Sequence, residues 1–219
     1  MITGRFLSMG KTDDKLSFKE LISVTAHQLK NLYVLSQNES DVLLSSGGVH
    51  EQTLHCLSRS GGKYFQGYVD PYNSVMYCIW LYWLSRFAYL RDEVHLADKI
   101  YCLNKALHSV ELFYAVELPS VWSCEHPLGS VMGRATYGDG FFFYQGCTVG
   151  GNRDREGILH YPVLGRNVTM YSDSKIIGKS IVGDNCIISA NTYIKDAFIP
   201  ADSMVFGSSP HLVIKKRHG

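Results

Sequence analysis

Two hydrophobic periods divide the chain. From Leu16 to about Val116 apolar residues recur at three-to-four spacing, the stripe of a helix packed on a core. "SFKELISVTAHQLKNLYVL", Ser17 to Leu35, opens on a serine with Glu20 three residues further, which predicts a capped helix. Polar "SSGGVH" (Ser45 to His50) and "SRSGGK" (Ser58 to Lys63) read as loops. Asn73 then opens a helix to about Leu90, and Asp92 caps another to about Phe113.

After Pro119 the period is six. Leu164, Met170, Ile176, Val182, Ile188 and Ile194 place an aliphatic residue at every sixth position. Four residues after each come Val168, Ser174, Ser180, Cys186, Thr192 and Phe198, mostly small. Val131, Tyr137, Phe143 and Val149 keep the step upstream, with Ala135, Phe141 and Cys147 at the second inward position. An insertion, Gly151 to Pro162, separates the two runs. Neither a helix nor a single strand has this period. A triangular solenoid does: each hexad makes one face, three make a coil, and stacked coils bury one apolar column that no coil could bury alone. The expected class is therefore α+β, with an α-helical domain over 1–114 followed by a β-helix over 115–219.

Composition narrows the function. The 219 residues carry a net charge of +1, which gives no electrostatic case for nucleic acid or an anionic membrane. Cys56, Cys78, Cys102, Cys124, Cys147 and Cys186 are scattered without CxxC or CxxH pairs, so neither a disulfide framework nor a metal site is expected. Together with a polar "GKTDDK" near the start and no signal-peptide core, they predict a cytoplasmic protein. The apolar run Val75–Leu90 carries Arg86 and falls short of the ~20 residues of a membrane span, so it reads as a buried or oligomer-facing helix. No GxGxxG or Walker-type motif supports dinucleotide or nucleoside-triphosphate chemistry.

Four segments, in order, carry a family resemblance: "AVELP" (Ala115–Pro119), "EHPLGSVMG" (Glu125–Gly133), "YQGCTVGGN" (Tyr144–Asn152) and "LHYPVLGRNV" (Leu159–Val168). With the closing "ANTYIKDAFIPADSMVFGSSP" (Ala190–Pro210), they resemble the hexapeptide-repeat acyltransferases with a left-handed β-helix, and serine acetyltransferases most of all. The likeness covers the chain from about Asn73 onward; before that it rests on helical character alone. It implies acetyl transfer from acetyl-CoA, a co-substrate rather than a resident cofactor, to a hydroxyl. It also implies a homotrimer, or a pair of trimers, with active sites between neighbouring solenoids. His126 falls on the family's catalytic histidine, Glu117 on its paired carboxylate, and Glu125 and His160 on acceptor-binding positions. Gly150, Gly151, Ser174, Ala190 and Lys195 correspond to the cleft that holds the CoA arm.

The chemistry is sound for these residue types. An alcohol attacks a thioester only as a base removes its proton, and imidazole titrates in the right range. A carboxylate on the other ring nitrogen fixes the tautomer and stabilises the imidazolium. Bland alternatives stand beside each assignment: a solvated loop for His126 and His160, a tight turn for the glycine pair, helix-surface or core-edge positions for His27, His95 and His108. Glu117 is one methylene longer than the family's aspartate, and the chain between Glu117 and His126 is about a hexad shorter, so Glu117 and Glu125 both remain as partners. "YSDSK" (Tyr171–Lys175) replaces a small-residue run along the CoA cleft. The long tail through which some members bind cysteine synthase is missing, so that partner is not expected. Serine or a sugar of a surface polysaccharide is the acceptor, or the solenoid is an inactive scaffold.

Overall fold

The structure, a computed structural model, describes residues 15–61 and 65–217. Gly10–Asp14 of the polar N-terminal stretch, Gly62–Lys63 of the second glycine pair, and His218 lie outside them. Helix α1 (Phe18–Leu32) begins with the expected reciprocal cap: Ser17 Oγ accepts from the Glu20 amide, and the Glu20 carboxylate accepts from the Ser17 amide at 2.8 Å. Helix α2 (Gln37–Leu44) has the same device in Ser36 and Glu39. The glycines of "SSGGVH" do not make a loop. They start helix α3 (Gly47–Arg59), whose Val49, Thr53, Cys56 and Leu57 are buried at three-to-four spacing. That apolar stripe outweighs the modest cost of two glycines in a first turn.

Helix α4 (Ser74–Leu90) is capped by Asn73 Oδ1, which accepts from the amides of Val75 and Met76 at 3.1 and 3.2 Å. Met76 to Tyr82 are all buried, so its all-round hydrophobicity marks the centre of the helical bundle. Among the described residues no helix is long and apolar enough to cross a membrane. Helix α5 (Val94–His108) departs from expectation at both ends. Asp92 has φ 62° and Glu93 takes the cap position, while Ser109, at φ 51°, stops the helix five residues before Phe113. Chain freed there becomes the first solenoid strand: Glu111–Leu112 pairs in parallel with Val131–Met132.

Thirteen further parallel strands and an antiparallel closing strand, His211–Lys216, complete the solenoid, apart from a hairpin insertion. Its first face stacks Trp122–Cys124, Phe141–Phe143, Thr169–Met170, Ile187–Ile188 and Met204–Val205. The second stacks Glu111–Leu112, Val131–Met132, Thr148–Gly150, Lys175–Ile177 and Tyr193–Lys195. The third stacks Thr136–Tyr137, Val163–Leu164, Ile181–Val182 and Phe198–Ile199. Pairings such as Thr169 with Ile187 and Lys175 with Tyr193 give three hexads per coil. All six residues from Leu164 to Ile194 in the six-residue series are at most 2% exposed.

Two members of the wider pattern are corrected. Val131 is only half-buried, and Met132, at 1% exposure, points inward opposite Val149. Phe198 is 68% exposed, because the last coil is one residue shorter: Ile181 pairs with Phe198, and Ile199 takes the inward place. A one-residue change of register turns a strand residue to the opposite face. Corner residues explain why short coils stack without helices between them. Asn167, Asn185 and Asp202 hold left-handed backbone (φ 55° to 58°) one above another, and each asparagine amide donates to the side-chain oxygen of the next coil at 3.0 and 2.9 Å. At Gly165 a Cβ would sit 2.7 Å from the Asp184 amide nitrogen, so the coils approach there only without a side chain.

Bundle and prism share one core. Tyr82 of α4 donates to the Val116 carbonyl and accepts from the Leu118 amide, both at 2.8 Å, and its ring meets Trp122 edge-on at 5.4 Å. From α3, Cys56 Sγ donates to the Trp122 carbonyl at 3.1 Å. The first coil is thereby fixed to the helices, and the loop that leaves it carries His126.

Candidate active site

His126 lies at the corner between the first and second faces. Inward residues on either side of the equivalent corners are six apart, as in Phe143 and Val149, but Cys124 and Met132 are eight apart. The two extra residues throw a loop outward. His126 itself takes φ 51°, and its carbonyl accepts from the Leu128 amide at 2.7 Å around a buried Pro127. A non-glycine residue in that region is uncommon and tends to mark a site where geometry matters more than local comfort. Its side chain is 72% exposed, with Nε2 3.9 Å from Glu125 Oε1.

Glu125 is anchored by its amide, which donates to the Phe143 carbonyl at 3.0 Å. On the next coil Tyr144 stands beside it. Partial burial, and then the Glu125 charge, push the Tyr144 phenol above its usual range. Tyr144 stacks on Tyr171 of the following coil at 5.1 Å and 9°, and packs against Phe142 at 5.2 Å. "YSDSK" therefore contributes the third ring of an aromatic ladder on this edge of the solenoid. Glu117 sits elsewhere, 82% exposed and 3.3 Å from Arg86 Nη2. Of the two candidate partners, the one the fold holds next to His126 is Glu125.

A cleft of about 400 Å³ opens beside the loop. Ser123, Cys124, Glu125, His126 and Phe142 form its solenoid wall; Leu57 of α3, Ser74 to Met76 of α4 and the connection between the two helices, with Ser60, Tyr72 and Asn73, form the other. Cys124 is no rival nucleophile, since contact with Cys78 and then burial hold its thiol well above the usual range.

His160 is placed at a different corner, between the second and third faces. The insertion Gly151–Pro162 forms a hairpin, Asn152–Arg153 against Leu159–His160. Asp154 organises its turn, accepting from the Glu156 and Ile158 amides with Oδ1 and from His160 Nε2 at 2.7 Å with Oδ2. The hydrogen bond from His160 is the main reason the Asp154 carboxyl lies below its usual range. Gly151 belongs to this hairpin, where a Cβ would come within 2.9 Å of the His160 carbonyl oxygen and the Tyr161 ring. Gly150 has open space in front of it. On the same ladder, Gly150 pairs with Ile177 and Ile177 with Lys195. Ala190 is exposed at the His126 corner, but Ser174 is fully buried with Oγ 3.6 Å from Cys147 Sγ, so its hydroxyl does not reach the outer face.

No protein-family model matches the sequence. A serine acetyltransferase of Staphylococcus aureus (strain Mu50) is 26% identical over 139 residues, 63% of this chain and 64% of that protein. The match thus spans less than two thirds of the relative's length. Among solved structures, serine acetyltransferase from Vibrio cholerae superposes with a TM-score of 0.74 at 19% identity, covering 91% of this chain and 80% of that one. The chain is similar to serine acetyltransferases in sequence and in fold. The enzyme from Brucella abortus strain S19, solved in complex with coenzyme A, gives a TM-score of 0.70 at 17% identity over 93% of this chain and 84% of that one. The solenoid seen here is consistent with the left-handed β-helix of hexapeptide-repeat acyltransferases.

Residues that the sequence did not single out are Phe142 and Tyr144, and the α3 and α4 residues across the cleft. Phe142 and Tyr144 alternate with inward Phe141 and Phe143, so an outward aromatic pair was readable from the strand period alone. The helical wall was not, because nothing local says which loop meets which coil.

Proposed function

We propose that the chain is an acetyl-CoA-dependent O-acetyltransferase, with serine as the acceptor indicated by its relatives. What carries the reading is His126, held out of the prism in left-handed backbone next to Glu125 and opening onto a cleft. Nε2 lies toward Glu125, which leaves Nδ1 to take the hydroxyl proton as the oxygen adds to the thioester carbonyl. Glu125 stabilises the imidazolium, which then returns the proton to the departing thiolate. Glu117, tied to Arg86, serves the entry to the first coil instead.

His126 and His160 occupy different corners, so a site using both takes them from two copies. The cleft residues divide in the same way, with Ala190 and the backbone at Ser174 on the His126 corner, and Gly150, Gly151 and Lys195 toward the hairpin. A homotrimer with shared active sites accounts for this division. The third face supports it with an exposed apolar row, Val163, Ile181 and Phe198, on three successive coils. A second reading keeps the chemistry but moves it to a sugar hydroxyl, favoured by the Tyr144–Tyr171 stack, since aromatic faces suit sugar rings.

Release of free CoA thiol from acetyl-CoA, measured with L-serine and a panel of sugars, tests both. Turnover of serine is expected, and His126→Ala should reduce it by about a hundredfold or more. Undiminished turnover in that variant removes the base assignment, and activity with sugars alone replaces serine. CoA binding without turnover of any acceptor points to a scaffold.

A further inference from the structure

Of the two carboxylate–imidazole pairs, the hairpin holds the better formed. His160 Nε2 lies 2.7 Å from Asp154 Oδ2, whereas His126 Nε2 is 3.9 Å from Glu125. Both members of the hairpin pair are more enclosed than His126, so solvent screens them less. The turn does not need this contact. Asp154 Oδ1 accepts from the Glu156 and Ile158 amides at 3.0 and 2.8 Å, and the Asp154 amide donates to the Ile158 carbonyl at 2.9 Å. Arg153 Nη1 adds a further bond, to the Gly157 carbonyl at 2.6 Å. Oδ2 is left for His160. The Asp154 carboxyl lies below its usual range, so it is ionised at neutral pH. A carboxylate only accepts, which puts the imidazole proton on Nε2 and leaves the neutral ring a bare Nδ1.

We propose that Asp154 is a positioning residue for the acceptor: it fixes His160 with its proton on Nε2, so that Nδ1 accepts a hydrogen bond from a hydroxyl or ammonium group of the acceptor. This rests on the acetyl-transfer reading, with His160 as an acceptor contact, and adds the residue that sets the ring's tautomer. Asp154 acts through the ring rather than on the acceptor itself.

Asp154→Asn isolates that role. Its Oδ1 can keep both amide bonds of the turn, and its amide nitrogen then faces Nε2 as a donor. Rotating the amide to suit the ring would give up both of those bonds, so the ring proton moves to Nδ1 instead. The full chain would be assayed at pH 8, where free imidazole is neutral. The KM for the acceptor, L-serine or the sugar turned over in its place, should rise about tenfold or more. The KM for acetyl-CoA should not change. In a His160→Ala background the same substitution should add nothing, because the two residues act as one unit. Nitrogen-15 NMR of labelled histidine should show the His160 proton on Nε2 in the unaltered protein and on Nδ1 in Asp154→Asn.

A proton on Nδ1 in the unaltered protein overturns the proposal, whether or not Asp154→Asn folds. So does an acceptor KM that Asp154→Asn leaves unchanged, or raises equally in the His160→Ala background, which is the mark of a merely structural role. Acetyl transfer stands in each of these cases. If the unaltered protein turns over no acceptor, the acetyl-transfer reading fails, and calorimetric binding of L-serine decides the positioning role. Binding that Asp154→Asn weakens only while His160 is present upholds it; binding without that change, or no binding, removes it.

Discussion

His108 ends α5 in a buried setting, its Nδ1 2.7 Å from Asn104 Oδ1, while the Asn104 amide donates to the Cys78 carbonyl at 3.1 Å. Burial pulls its pKa down to about 4. The unfolded chain takes up this proton near pH 6.5, the folded chain only near 4. Stability from this group is therefore complete above about pH 6.5 and is lost as the pH falls toward 4, by at most ~3 kcal/mol. Burial lowers His50 too, in the same sense. Urea midpoints at pH 7, 5 and 4 should fall steadily, and His108→Gln should flatten most of that slope. In the sequence His27, His95 and His108 look alike, yet only His108 is buried, because solvation depends on which helix face meets α4. His126 was legible for the opposite reason: its place depends on the hexads around it, which lie nearby in the chain. The choice between Glu117 and Glu125 as its proposed partner was not, since the pairing of Glu117 with Arg86 comes from across the fold, from α4.

The period of six predicts strands, faces and coil length, and errs where a coil gains or loses a residue. Phe198 and Ile199 show this sharply, both apolar and adjacent, one outward and one inward. Ile199→Ala should destabilise the fold by about 2–4 kcal/mol through lost burial and a cavity, whereas Phe198→Ala should change the stability of the dissociated chain by under ~0.5 kcal/mol. Denaturant titration of the two variants measures the register directly, and equal losses would contradict it. The helix ends fail for a related reason. Ser109 stops α5 with a single left-handed residue, and the strand beyond it gains its partner from Val131–Met132, some twenty residues further on. Propensity within Leu107–Phe113 contains no trace of that pairing. By contrast, the caps at Ser17 and Asn73 use neighbours two or three residues away, and both were readable.

At the scale of the molecule, the row Val163, Ile181 and Phe198 leaves one prism face apolar, and the two candidate histidines stand at separate corners. Under the proposed homotrimer, Ile181→Asp should give single chains in sedimentation velocity where the unaltered protein gives trimers, with an unchanged circular-dichroism spectrum. Acetyl transfer should fall with it, because each site would lose the half that its neighbour supplies. Full activity in a dissociated Ile181→Asp chain would place the whole site within one copy and remove the shared-site proposal.

By itself the sequence determined the α+β order, the six-residue coil step, the capped starts of α1 and α4, and His126 as the histidine at the mouth of the solenoid. Each of these is local or periodic, so burying an apolar stripe or column suffices to impose it. Only the tertiary structure decided that Glu117 pairs with Arg86, that Ser174 is sealed inside the prism, that Gly151 serves a hairpin, and that α3, α4 and the connection between them close a cleft against the first coil. These depend on contacts between residues far apart in the chain, where one added or missing corner residue turns a side chain from solvent to core.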